Sequence, residues 1–166
     1  AVKVTPSVAD IRPIVAAIED AGADAITVMN TIPAMAIDIR RRRPVLATSF
    51  GGLSGPAIKP VALRFVYLAA SATTLPILAA GGVSTGTDAV EFLMAGASAV
   101  QVTSVLLRHG PGYLTELSRL EAAAGCFIRH LSRGGVAIVE PWFPPPNVRY
   151  LNSPFVMLSS NCSSPK

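Results

Sequence analysis

Apolar residues along the chain fall into two alternating kinds of run. Short β-branched blocks sit between longer stretches in which apolar positions recur three and four residues apart. The first kind suits buried strands and the second amphipathic helices. Val2 to Thr5 reads as a strand ended by Pro6, with Ser7 capping a helix whose apolar positions are Ile11, Ile14, Val15 and Ile18. Gly22 closes that helix, and AITVM (Ala25 to Met29) is a second strand, too apolar for a sheet edge. A long connection, Asn30 to Pro44, leads to a strand-like run at Val45 to Ala47 and then to FGGLSGPAIKP (Phe50 to Pro60). Pro56 opens the next helix where its missing N–H does no harm, and Pro60 falls in the first turn. LPILAAGGVST predicts a strand and a glycine turn, GTDAVEFLMAGA a helix capped by Thr85 or Thr87, SAVQVTS a strand, and GPGYLTELSRLEAAAG a last helix ending at Gly125.

This β-α-β-α order, with crossovers of helix length, predicts an α/β fold built on a parallel sheet. AGADAITV and AGASAVQV repeat one another as helix end, turn and buried strand, the mark of repeated units. About four β/α units amount to a partial (half) TIM-type β/α barrel or to a small open parallel sheet, and periodicity alone does not separate them. Residues 126–166 change character. Proline clusters and the lack of a sustained pattern predict an irregular C-terminal tail after the 1–125 body, with only GVAIV able to pair as a strand.

Composition narrows the function classes. With 51% apolar and 14% charged residues, the chain is expected to fold around a core. The net charge of +4 raises nucleic acid as a ligand, but the basic residues are scattered apart from Arg40 to Arg43, and aromatics make up only 6%. No nucleic-acid partner is expected. Cys126 and Cys162 lack metal-ligand spacing, and no stretch approaches the roughly 18 apolar residues of a membrane span. The expectation is a cytoplasmic protein with no metal and no membrane anchor. Because the sequence opens on alanine directly before a strand, we expect a fragment or a processed chain.

Ligands of parallel β/α folds sit at the carboxyl ends of the strands. That rule selects Lys3, Asn30 with Thr31, the Gly51 to Gly55 loop, Gly81 with Gly82, and Thr103 with Ser104. The loops at 81–82 and 103–104 suit a phosphate, offering backbone amides just ahead of helices; the plainer alternative is a pair of tight-turn glycines. Lys3, inside an apolar strand, needs an anion to offset its burial unless it stands at a solvated edge. Asn30 and Thr31 offer amide and hydroxyl groups to a polar substrate or serve only as turn formers. His109 and His130 have no partner at ligand spacing.

The strings VKVTPSVADI, AGADAITVMNT, MAIDI, RRPVLATSFGGLSGPAIKPVALR and PILAAGGVSTGTDAVEFLMAGASAVQV, in this order, resemble the C-terminal half of class 1 dihydroorotate dehydrogenases. The type whose partner is an iron–sulfur flavoprotein subunit is the most similar, and the resemblance spans Val2 to Leu120. It implies an FMN-dependent oxidoreductase of pyrimidine biosynthesis that converts dihydroorotate to orotate. It further implies that Lys3 lies by the flavin N1 and O2 edge, that Met29 and Gly55 contact flavin, and that Gly81, Gly82, Thr103 and Ser104 bind its phosphate. Asn30 and Thr31 match the pair that holds the pyrimidine.

Two departures stand out. Thr103 takes the place of a glycine beside the phosphate. The family's cysteine or serine base lies on a loop that this sequence does not contain, so no catalytic residue is assigned and the chain alone is expected to be inactive. Open sheet edges would also invite a second copy of the chain. The rival readings are a non-catalytic flavin- or phosphate-binding half-barrel, and a dihydropyrimidine dehydrogenase-like reductase fragment.

Overall fold

The computed structural model of the chain describes residues 1–122, 126–131 and 137–141. In chain order the elements are β1 (Val2–Lys3), α1 (Arg12–Asp20), β2 (Ile26–Val28), β3 (Ile32–Ala34), β4 (Ile37–Asp38), β5 (Arg43–Pro44) and β6 (Gly51–Leu53). A 3₁₀ turn (Pro56–Ile58) then leads into α2 (Lys59–Ala70), followed by β7 (Ile77–Ala80), α3 (Gly86–Met94), β8 (Ala99–Val102), α4 (Ser104–His109), α5 (Tyr113–Ala122), β9 (Cys126–Leu131) and β10 (Ala137–Pro141).

The main sheet has the order β1-β2-β7-β8-β10-β9, and its first four strands are parallel. Each parallel strand lies beside its predecessor, so successive right-handed crossovers place their helices on one face. A doubly wound sheet would reverse direction at a switch point. The order therefore decides between the two architectures left open by periodicity: the sheet is wound like an arc of a β/α barrel, and among the described residues it does not close.

The two faces differ in chemistry because strand side chains alternate. Ile26, Val28, Ile77, Ala79, Val100 and Val102 join the helix residues Val15, Ala62, Phe65, Val66, Ala69, Ala89 and Phe92 in one buried core. On the other face, register aligns Lys3, Thr27, Leu78 and Ala99 in one row, and Ala80 with Gln101 in the next. That face is smaller in its side chains and more polar, as a surface lining a ligand would be.

Several local expectations are corrected. The first helix starts at Arg12, not after Ser7: the Asp10 carboxylate accepts from the Arg12 backbone N–H at 3.0 Å, while the Ser7 N–H donates to Thr5. An Asp two residues upstream supplies the local acceptor that the Ser7 reading assumed. Val45 to Ala47 is not a strand. Instead the connection folds back as two antiparallel ribbons, β3 with β6 and β4 with β5, because Gly51 to Leu53 has a partner in Ile32 to Ala34. The predicted last helix is present as Tyr113–Ala122, and two short helices occupy the region because an unanticipated one, Ser104–His109, precedes it and ends at Gly110, where φ is +80°. His109 ends the first of them, its ring stacked at 4.7 Å on Tyr113. In the C-terminal segment, residues 137–139 of GVAIV do pair, antiparallel to β8, and Cys126 to Leu131 adds a strand not anticipated. The other predictions for residues 123–125, 132–136 and 142–166 lie outside the described residues.

Candidate functional site

A cleft of about 200 Å³ opens at the carboxyl ends of the four parallel strands. Lys3 comes from β1, Met29 to Thr31 from the exit of β2, Gly55 and Ile58 from the glycine loop, Gly81 to Val83 from the exit of β7, and Gln101 to Ser104 from β8 and the start of α4. The nine residues given a role from the sequence, Lys3, Met29, Asn30, Thr31, Gly55, Gly81, Gly82, Thr103 and Ser104, line this one cleft, whereas Gly51 to Leu53 of the selected loop do not and pair with Ile32 to Ala34. Its volume falls below the roughly 300–1,000 Å³ of complete ligand pockets, as expected where the described strands wall only one side.

Each contributor is held by identifiable contacts. The Met29 side chain is 2% exposed and belongs to the core, so it presents backbone to the cleft. Its N–H donates to the Ala80 carbonyl at 3.1 Å and the next, Asn30 N–H, to the Val4 carbonyl at 2.9 Å, pinning the β2 exit to both neighbouring strands. The Val28–Met29 peptide is cis. Asn30 Oδ1 accepts from the Thr31 N–H at 2.9 Å, which directs its carboxamide NH₂ to donate elsewhere. Lys3 is exposed, which selects the solvated-edge alternative: no desolvation has to be offset.

The opening glycines answer to geometry. Gly55, with φ +91° and ψ −172°, occupies a region essentially restricted to glycine and starts the 3₁₀ turn that its carbonyl closes with the Ile58 N–H. Gly81 and Gly82 have φ of +129° and +81°, so both are turn glycines. They also back directly onto the start of α2. A β-carbon on Gly82 would lie 2.6 Å from Lys59 N, and one on Gly81 would lie 3.1 Å from Ala62 Cβ. Turn geometry and close packing thus both demand glycine, and the amides that result border the cleft.

α4 begins at Thr103, whose carbonyl accepts from the Leu106 and Leu107 N–H groups at 3.0 and 3.2 Å. The first amides of a helix have no intrahelical acceptor, which suits this end to an anion. α3 differs. Thr85 caps it as expected, and Asp88 completes the capping box by accepting from the Ser84 and Thr85 N–H groups at 2.9 and 2.8 Å. That helix start is already occupied by a carboxylate of the chain itself.

The sequence reading left Lys59 unplaced. Its Nζ donates to Asp88 Oδ1 at 2.5 Å and to Glu91 Oε2 at 2.8 Å, with side chains only 21% and 14% exposed for Lys59 and Asp88. Burial pushes the Asp88 carboxyl up, but the Lys59 hydrogen bond and the Ser84 and Thr85 amides outweigh it and hold the group below the usual carboxylate range. Hydrogen bonds to Asp88 and then Glu91 raise the Lys59 ammonium above the usual lysine value. Gln101, a polar residue inside an apolar strand, also lines the cleft and was legible from that position alone. Among the described residues no cluster of three or more metal-ligating side chains occurs, and no helix is long and apolar enough to cross a membrane.

A parallel sheet wound in one direction, with glycine and polar residues gathered at its carboxyl rim, is the architecture of a partial β/α barrel. The family model described as dihydroorotate dehydrogenase matches residues 1–120, and the chain belongs to that family. Over 101 residues it is 58% identical to the "Dihydroorotate dehydrogenase B (NAD(+)), catalytic subunit" of Trichlorobacter lovleyi, covering 61% of this chain and 33% of that protein. The protein of the same name in Pyrococcus abyssi is 54% identical over 107 residues, 64% of this chain and 36% of that one. In Pelobacter propionicus another is 47% identical over 139 residues, 84% of this chain and 43% of its own length. The chain thus spans between a third and a little over two-fifths of these relatives where it matches them.

Proposed function

We propose that the chain forms the FMN-holding half of a dihydroorotate dehydrogenase, an oxidoreductase that converts dihydroorotate to orotate. The gathering of nine residues, chosen by the strand-end rule and the family resemblance, on one rim cleft carries this reading. The donor set fits a phosphorylated isoalloxazine: glycine amides and the start of α4 for the phosphate, one cation for an electron-rich ring edge, and amide and hydroxyl groups for a pyrimidine.

In this reading Gly81, Gly82, Thr103 and Ser104 hold the phosphate, and Gly55 and the backbone of Met29 border the ring. FMN, when bound, supplies the two-electron acceptor. Lys3 places a positive charge where the reduced ring accumulates negative charge, which stabilises that state. Thr103 stands exposed, so its side chain has room to turn from the phosphate while its amide remains. Asn30 donates through the NH₂ left free by its contact to Thr31, and the two orient the pyrimidine. None of the residues lining the cleft is a cysteine, histidine or carboxylate. Binding without turnover is therefore the expected behaviour of this chain alone.

The relatives named as catalytic subunits suggest a second, electron-carrying subunit, for which an iron–sulfur flavoprotein is the proposed partner, and the cytoplasm is the proposed location. A relative from Solibacter usitatus, 56% identical over 101 residues, is named instead for the fumarate type, so the acceptor needs its own assay. The test is an FMN titration followed by orotate and by uracil. Saturable FMN uptake with an absorbance change on adding orotate supports the proposal. A response to uracil alone would favour a dihydropyrimidine dehydrogenase-like reductase, and no flavin uptake would reject the cofactor assignment.

A further inference from the structure

Lys59 does not line the cleft but packs against Gly82, which does, where the loop from Gly51 to Ile58 meets the turn from Gly81 to Thr85. The two segments touch through backbone, since the Gly82 Cα faces Lys59 so closely that a β-carbon there would lie 2.6 Å from its N and 2.8 Å from its Cα. They are also joined through charge. The Lys59 ammonium binds Asp88 and Glu91, and Asp88 in turn accepts from the Ser84 and Thr85 amides of the phosphate-side turn. One lysine thus spans both loops that supply cleft glycines.

Its charge has a second consequence. Asp88 and Glu91 place two carboxylates on α3, the helix that follows the Gly81–Thr85 turn read as accepting a phosphate. Unneutralised, they would repel the ligand that the adjacent amides attract. The short two-sided ion pair cancels much of that field.

We infer that Lys59 is a positioning residue for the phosphate cradle: it clamps the glycine loop to the Gly81–Thr85 turn and neutralises the Asp88 and Glu91 carboxylates beside it. The inference rests on the flavin-phosphate reading for its ligand, while its clamping part stands on the contacts alone.

The experiment compares Lys59→Met, Lys59→Arg and the unaltered full chain in two measurements. Binding of FMN and of riboflavin, which lacks the phosphate, is followed by flavin fluorescence; amide hydrogen exchange is followed across residues 51–58 and 81–85. Lys59→Met should weaken FMN about tenfold and riboflavin less than about twofold, as an uncompensated like charge near a phosphate requires. It should also speed exchange in both segments together, and Lys59→Arg should restore most of both. An unchanged FMN-to-riboflavin ratio with unchanged exchange overturns the inference, as does an equal loss for both ligands with faster exchange throughout the chain. If the unaltered chain takes up no FMN, the flavin reading fails and exchange alone decides the clamp. Should Lys59→Met not fold, Glu91→Gln removes the outer, more exposed carboxylate and leaves the Lys59–Asp88 clamp in place: FMN should bind more tightly relative to riboflavin with exchange in both segments little changed, and weaker FMN binding overturns the charge part of the inference.

Discussion

Replacing Gly82 with alanine puts a methyl group where the backbone of Lys59 already lies. The added carbon would be 2.6 Å from Lys59 N and 2.8 Å from Lys59 Cα, and backbone at the start of a helix cannot swing aside as a side-chain tip can. Overpacking of this kind costs about 1–3 kcal/mol. The positive φ of +81° adds roughly 1–2 kcal/mol for a residue with a β-carbon. The sum, about 2–5 kcal/mol, is a large share of the roughly 5–15 kcal/mol that holds a domain together. Gly55→Ala is the matched control. It carries a similar backbone penalty, about 1–3 kcal/mol at φ +91°, but nothing lies within 4 Å of the added carbon. Urea unfolding followed by circular dichroism reads both variants on one scale. Gly82→Ala should be the less stable by at least about 1 kcal/mol, the steric part alone. Equal losses would mean that the two loops do not pack as described, and the basis for a glycine at this position would reduce to turn geometry.

Other variants probe other parts of the account. Phe92→Ala empties a side chain that is 0% exposed between α3 and the sheet, and should cost about 3–5 kcal/mol in the same unfolding assay. Lys3→Met, at an exposed strand end, should leave stability within about 0.5 kcal/mol while weakening FMN and lowering the potential of any flavin bound, measured by equilibrium dye reduction. The stability difference between the unaltered chain and Lys59→Met should depend on pH with a definite sign. The Asp88 pKa is lowered by folding, so its contribution is present above the ordinary carboxylate value and fades as pH falls through the lower folded one. The Lys59 pKa is raised, so its contribution is complete below the ordinary lysine value and fades as pH rises through the higher folded one. The difference should hold steady between about pH 5 and 10 and shrink on either side; a maximum outside that window would contradict the pairing.

Much of the architecture was readable because the main elements obey simple periodicities. The runs at 26–28, 77–80 and 99–102 are short and mostly β-branched or small, each follows a glycine or proline within four residues, and all three are strands. Thr85 was one of two threonines read as the cap of α3, and it is the one that caps it. Strand order was not readable, since nothing in a single β/α unit encodes which neighbour it pairs with; that choice needed the three-dimensional register. The ribbons between 32 and 53 escaped because their strands are two or three residues long, below the length at which alternation carries a signal, and because β3 pairs across a long stretch of chain with β6. The site was legible through one rule, that ligands gather at strand carboxyl ends, applied to Lys3, Asn30, Gly55, Gly81 and Thr103. Lys59 escaped that rule because its work is done 29 residues along the chain, at Asp88, and spacing on either helix alone does not suggest it.

The central claim is that one rim cleft receives a phosphorylated flavin through glycine amides and a single cation. Isothermal titration of the purified chain with FMN, repeated with riboflavin and with Gly81→Val, tests it most directly. The account predicts equimolar FMN binding, weaker riboflavin binding and loss of FMN binding in the variant, with the variant's fold checked by circular dichroism. FMN binding that is absent, or that is unchanged by removing the phosphate or by a folded Gly81→Val, would contradict it.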